Sequence, residues 1–287
     1  MRPRLEQLED RTLPSNFLAA TVSDLIADID AANAAGGTNS ITLATSKTFS
    51  LTQVNNTSDG ANGLPVIAAG DNLTIVGNSR TIERSSASGT PAFRLFDVAS
   101  GASLTLDKLT LQNGYVLGLP FPTQDYGGAI YSNGSLTLTG VVVTGNVGFN
   151  GAGIYIAGGT ASLSNDTFTN NTCFGADIGG GGALCVALGG AANLTNDTFE
   201  CNGGGSSTPG SAIYVAAGGS AVLTNSLVER NIGCFALYNA GGSLKCCRDI
   251  VRHNDEGIYS AAVDQYTFDH CVFNGINTNP FVNIVQC

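Results

Sequence analysis

Asp166 and Asp197 are the residues of this sequence best placed to do chemistry: each sits in an Asn-Asp-Thr-Phe phrase, at 165–168 and 196–199, with Asp269 in a related place further on. If consecutive phrases lie one above the other, their carboxylates are about 5 Å apart and repel unless a cation or a shared proton lies between them. Calcium is the candidate cation. The competing reading is structural, with each Asp capping its corner by accepting a backbone N–H. Asn165, Asn196 and Asn225 recur with the phrase, and Asn171, Asn202 and Asn231 recur a few residues later. An amide both donates and accepts, so stacked asparagines fit an internal ladder of hydrogen bonds at a turn, which stabilises and does no chemistry.

Eight cysteines, Cys173, Cys185, Cys201, Cys234, Cys246, Cys247, Cys271 and Cys287, fall in the last 115 residues. None shows Cys-x-x-Cys spacing and only His253 and His270 are available beside them, so zinc and haem are not indicated. Cysteines on adjacent layers of a stack fall inside the roughly 4.4–6.8 Å Cα window of a disulfide, which makes all eight candidates for bridges. Alternatively, Cys185 replaces a repeat tyrosine and Cys271 an inward phenylalanine, as small buried groups. Asp269 and His270 are adjacent, so on a strand they point to opposite faces and form no dyad.

The elements that position these residues follow from composition and repetition. The chain has 287 residues, of which only 12% are charged while 38 are Gly, which argues against a helical bundle. An apolar content of 43% argues against disorder. The net charge is −10, and no Lys or Arg occurs between Leu109 and Glu229, so nucleic acid is excluded as a partner. No apolar run reaches the roughly 18 residues of a membrane span, and the first thirty residues lack the apolar region of a secretory signal.

From Gly127 onward the sequence repeats. The phrase Gly-Gly-Ala-Ile-Tyr at 127–131 returns in variants that end at Tyr155, Cys185, Tyr214, Tyr238 and Tyr259, a period of 21 to 30 residues. After each copy comes an alternating segment such as Ser135, Leu136, Thr137, Leu138 or Ala161, Ser162, Leu163, Ser164, closed by Asn. Each unit therefore holds three short strands with Gly or Asn at the corners. Such a unit cannot bury its own inner face, so copies must stack, about 4.8 Å apart, into a parallel β-helix. Weaker copies at 73–76, 93–96 and 104–106 bring the expectation to about eight rungs, and insertions at 117–125 and 203–209 are expected to bulge from corners. Thr21 and Asp24 have capping-box spacing ahead of a helix ending at Gly36 and Gly37, expected at 21–35 as a lid on the first rung. The expected divisions are a leader-like segment at 1–19, the β-helix with its capping helix at 20–276, and an apolar tail at 277–287.

With its helix, its Leu73-Thr74-Ile75-Val76 and Phe93-Arg94-Leu95-Phe96 segments and its Gly-Gly-Ala-Ile-Tyr and Asn-rich repeats, the chain resembles bacterial right-handed parallel β-helix surface proteins. The repeats are similar to those of polymorphic outer-membrane-protein-like and choice-of-anchor proteins, over about 20–274. The opening Leu5-Glu6-Gln7-Leu8-Glu9-Asp10-Arg11 resembles a leader of large exported bacterial proteins, although no anchor helix or barrel segment follows the repeats. The resemblance implies an all-β, pectate-lyase-like right-handed solenoid at the cell surface or outside the cell. There it would act as a rigid structural, adhesion or self-assembly module whose partners are glycans, protein surfaces or copies of itself. It also implies the strongest catalytic alternative, a polysaccharide lyase or hydrolase. Those enzymes need calcium-binding acids with an Arg or Lys base, or paired carboxylates. An acidic chain with no cation over 110–228 suits a polyanionic substrate poorly.

Overall fold

The computed structural model describes residues 14–44, 48–118, 125–175, 180–204, 210–261 and 266–274. The tail at 277–287, with Cys287, and residues 1–13 of the leader-like segment lie outside them.

Strict alternation builds the strands. In Ser135–Thr139, Leu136 and Leu138 are buried while Ser135, Thr137 and Thr139 face outward, the period of two that half-buried strands require. The same pattern recurs one turn later in Thr160–Ser164, and the two strands pair in parallel, residue over residue. Ten such strands stack on the first face among the described residues. They begin with Ser15–Ala19, Gly37–Leu43, Asp71–Arg84, Ser103–Gln112 and Ser135–Thr139. Thr160–Ser164, Ala191–Thr195, Ser220–Thr224, Ser243–Cys247 and Tyr266–Asp269 complete the set. A second face runs through Val142–Thr144, Thr167–Thr169, Thr198–Glu200, Leu227–Glu229, Ile250–Arg252 and Val272–Asn274. A third stacks seven strands from Phe96–Val98 to Glu256–Ser260. Two-residue strands at Val147–Gly148, Thr172–Cys173 and Gly203–Gly204 form a narrow fourth strip.

All pairings between these named strands are parallel, and the path is a right-handed β-helix, the hand that parallel crossovers take. The expected eight rungs become ten strands on the first face. The difference lies at the beginning, where Ser15–Ala19, assigned from sequence to the leader-like segment, is instead a strand paired with Gly37–Leu43.

One continuous core fills the interior, with Leu138, Leu163, Leu194 and Leu223 in one column and Phe168 stacked on Phe199 at 4.8 Å in another. The recurring Gly-Gly phrase has a steric cause. Gly151 has φ +54, and a Cβ there would stand 2.3 Å from the Ile154 carbonyl oxygen, so only glycine lets the chain enter the third face. The capping helix spans Val22–Ala35 with Thr21 as N-cap and the capping box to Asp24 formed, and it buries Leu25, Ile29 and Ala32 against the first rungs. No helix among the described residues is long and apolar enough to cross a membrane.

Candidate functional site

The polar residues that recur from rung to rung divide into interior ladders, corners and outward faces. The interior amide ladder runs through Asn146, Asn171, Asn202, Asn231 and Asn254, all buried. Each side-chain oxygen accepts from the backbone N–H of the preceding ladder residue, and each Nδ2 donates to the next oxygen, as in Asn171 Nδ2 to Asn202 Oδ1 at 2.9 Å and Asn202 Nδ2 to Asn231 Oδ1 at 3.1 Å. Asn165, Asn196 and Asn225 are not part of it, contrary to the sequence expectation. They are exposed corner residues at φ 58, 58 and 53, chosen because Asn tolerates the left-handed region. Arg248 and His270 fill the same corner in the last two rungs, at φ 59 and 52.

Asp166 and Asp197 form a second interior ladder with Ser226 and Asp249. Asp166 Oδ1 accepts from Val141 N at 2.6 Å and Oδ2 from Ser164 N at 2.9 Å, while Asp197 Oδ1 accepts from Asp166 N at 2.8 Å. Three of the four carboxylate oxygens are thus engaged by backbone. A calcium ion needs six to eight oxygens, and this donor set does not fit one. Among the described residues, no three His, Cys, Asp or Glu side chains gather as metal ligands. Burial raises the carboxyls of Asp166 and Asp197 to about 7 and that of Asp249 to about 6, against the opposing pull of the backbone N–H groups. The Asp166 carboxyl is pushed up further by its Asp197 neighbour, and Ser226 spaces Asp197 from Asp249.

The seven described cysteines are free thiols. Register explains why the expected bridges do not form: a rung-to-rung disulfide needs two cysteines at the same position of adjacent turns. Cys173 pairs instead with Gly148 and Gly204, Cys185 with Tyr155 and Tyr214, Cys246 with Leu223 and Phe268, and Cys247 with Thr224 and Asp269. Cys201 sits at a corner with φ 55, and Cys234 contacts Glu256. Cys271 directly precedes Val272, which pairs with Ile250, so it stands in the Asp249 column and not in a phenylalanine column. Burial pushes the Cys173 thiol up to about 12, the opposite of a reactive thiolate. His270 does meet Asp269, Nδ1 to Oδ1 at 2.5 Å, because its left-handed corner turns the side chain back where a strand would send it away. Both side chains are exposed and on the outside of the stack.

The third face carries an aromatic column. Tyr131 and Tyr155 stack at 5.6 Å, Tyr214 and Tyr238 at 5.4 Å, and Tyr238 and Tyr259 at 4.3 Å. Cys185 occupies the tyrosine position between the two groups, and Tyr126 stacks on Tyr155 at 4.6 Å beside it. Because the rings lie face to face along the axis, they spend their π-faces on one another and turn edges outward. The Arg94 guanidinium closes the column 4.8 Å from the Tyr131 centroid. Asp97 stands in register with Tyr131, accepts from Asn62 Nδ2 at 3.3 Å, and has its carboxyl raised by burial to about 7 despite Arg94. This acid–base pair was missed from sequence. Its signal was a charge inside the apolar run Phe93-Arg94-Leu95-Phe96 and an Asp where later rungs have Tyr. Arg94 and Asp97 are both 0% exposed, so in this structure they cement the column and reach no substrate.

The first face presents the accessible surface. Its outward residues over four rungs are Ser135, Thr137 and Thr139; Thr160, Ser162 and Ser164; Ala191, Asn193 and Thr195; and Ser220, Val222 and Thr224. None is charged, and most carry a hydroxyl. The arrangement is a flat array of hydroxyls with one amide and no ionisable side chain.

A family model described as right handed beta helix region matches residues 122–285. No curated protein and no solved structure matches the chain.

Proposed function

The chain belongs to the right-handed β-helix family, and on that premise we propose that it is a non-enzymatic β-solenoid, exported or displayed at a bacterial cell surface, that serves as a rigid module for adhesion, assembly or support. The observation that carries this reading is the outward side of the first face, where twelve consecutive outward positions from Ser135 to Thr224 bear no charge. The interior beneath is fixed by continuous amide and carboxyl ladders, so the surface is held in one geometry. Such a face gains by area contact with glycans, other proteins or copies of itself and offers nothing for bond cleavage. Likeness to polymorphic outer-membrane-type repeats and the leader-like opening support the same placement.

The alternative reading, a polysaccharide lyase or hydrolase, would require the fully buried Arg94 and Asp97 to open to a substrate. The two readings separate in a cleavage assay on uronate polymers with added calcium. The expected result is no product; sustained turnover that Asp97→Asn abolishes would reverse the ranking. In parallel, beads carrying the purified chain are expected to retain bacterial cells or wall fragments, and mass photometry reports whether copies of the chain associate.

A further inference from the structure

We propose that Tyr238 and Tyr259 are a modification site: under a peroxide-driven one-electron oxidant their rings couple to a dityrosine that staples two consecutive rungs. The two residues occupy one register position of the third face, in Phe235–Asn239 and Glu256–Ser260, so one turn sets its phenol directly over that of the next. Their ring centroids lie 4.3 Å apart with planes 9° from parallel, and their side chains share a hydrogen bond. Both are partly exposed, so an oxidant meets the ring edges that point outward. The first face takes no part, and the site stands apart from the contact-module reading.

The stack fits the chemistry of coupling. Each phenol gives up one electron and its hydroxyl proton, leaving a phenoxyl radical whose spin is spread over the oxygen and the ring carbons ortho and para to it. The para carbon, Cγ, already carries Cβ, so the open position is Cε. Orbitals that hold the spin stand perpendicular to the ring, so face-to-face rings aim them at one another, and holding the pair in contact makes the step intramolecular. A Cε–Cε bond forms, each Cε proton moves to its phenolic oxygen, and both rings become aromatic again. The pair loses two hydrogens in all, and one hydrogen peroxide becomes two waters.

Other tyrosine contacts are less suited. Tyr131 and Tyr155 stand 5.6 Å apart, and the Arg94 guanidinium, 4.8 Å from the Tyr131 centroid, opposes removal of an electron from that ring. Tyr126 and Tyr155 are closer, at 4.6 Å, but tilted by 27°. Tyr214 and Tyr238 stand 5.4 Å apart, and Tyr214 is buried. Phe235 leans on both members of the favoured pair, at 6.3 and 5.3 Å, and has no hydroxyl with which to take over the radical. One competitor is near: the Cys234 thiol is close enough to act on Tyr238 electrostatically and can return a hydrogen atom to its radical. The new bond lies beside axial hydrogen bonds such as Ala261 N to Asn239 O at 2.9 Å, and it closes one whole turn covalently, as a disulfide closes a loop.

The test is oxidation of the dilute full chain with a haem peroxidase and hydrogen peroxide, in the wild type and in Cys234→Ser. Disulfides are then reduced, and the monomer fraction is analysed by intact mass and peptide mapping. The expected product is a monomer lighter by two hydrogens, with dityrosine fluorescence and a cross-linked peptide joining Tyr238 to Tyr259, in greater yield from Cys234→Ser. Tyr238→Phe and Tyr259→Phe, each with wild-type circular dichroism, are expected to lose that product, while Tyr155→Phe keeps it. The oxidised monomer is expected to unfold at higher urea than its parent, a shift absent in Tyr259→Phe. No monomeric dityrosine in either background, cross-links only between copies, or a yield indifferent to Tyr259→Phe each overturns the site, and an oxidised monomer no more stable than its parent overturns the staple.

Discussion

Asn202 makes two side-chain donations, to Phe168 O at 2.9 Å and Asn231 Oδ1 at 3.1 Å, while its own oxygen receives Asn171. Truncating it strands buried partners in the rungs on both sides, and each unsatisfied group costs about 1–3 kcal/mol. Asn202→Ala is therefore expected to lower the chemical-denaturation free energy by at least that much, and Asn202→Asp by more, because it adds a buried charge. The acid ladder predicts a pH dependence. Burial pushes the carboxyls of Asp166, Asp197 and Asp97 up to about 7 and that of Asp249 to about 6, above the ordinary 3.8. The folded state thus holds protons that the unfolded chain has released. Stability is greatest below about pH 4 and falls as pH rises to about 7, by at most about 1.4 kcal/mol per pH unit for each group. Asp197→Asn, whose new amide replaces an oxygen without a partner, is expected to flatten that slope in urea titrations at pH 4, 5.5 and 7. A slope of opposite sign would contradict the burial of these carboxyls in their proton-bound form. Of the residues concerned, the recurrence of Asn171, Asn202 and Asn231 was legible in the sequence. That Asn165 and its counterparts face water was not, because adjacent asparagines recur with one period and only the backbone decides which points inward.

At the scale of the element, the left-handed corner links the first and second faces. Asn225 at φ 53 holds it in the sixth of the repeated rungs that begin with Asp71. Asn225→Gly is expected to be neutral within a few tenths of a kcal/mol, whereas Asn225→Val is expected to cost about 1–2 kcal/mol, since a β-branched side chain resists that region. Thermal unfolding of the pair against wild type checks both. The capping helix was legible to within a residue because its signals are local: Thr21 with Asp24 at the start, Gly36 and Gly37 at the end. Strands of the later rungs were equally plain from alternation. Ser15–Ala19 was hidden, since five residues preceding a helix carry no repeat and their partner strand at Gly37–Leu43 lies beyond it.

For the whole molecule, the stack is a one-dimensional array whose ends are where unpaired strand edges can meet a neighbour. The helix shields the first end through Leu25, Ile29 and Ala32. Ile29→Asp places a charge in that contact and is expected to lift the lid, baring strand edges. Mass photometry should then show a larger share of dimers and longer species than in the parent chain; a folded variant with an unchanged distribution would mean the lid guards nothing. The parallel register described above also fixes how the protein bears load. Its rungs are joined by hydrogen bonds that point along the axis, so a tether drawn from the two termini unzips them one at a time. Each turn, from 22 residues between Leu244 and Tyr266 to 34 between Asn39 and Leu73, would release about 70–110 Å of slack. A fibre hung by its ends would therefore yield early and gradually, as a shock absorber, while one gripped across its flat sides would resist as a plank.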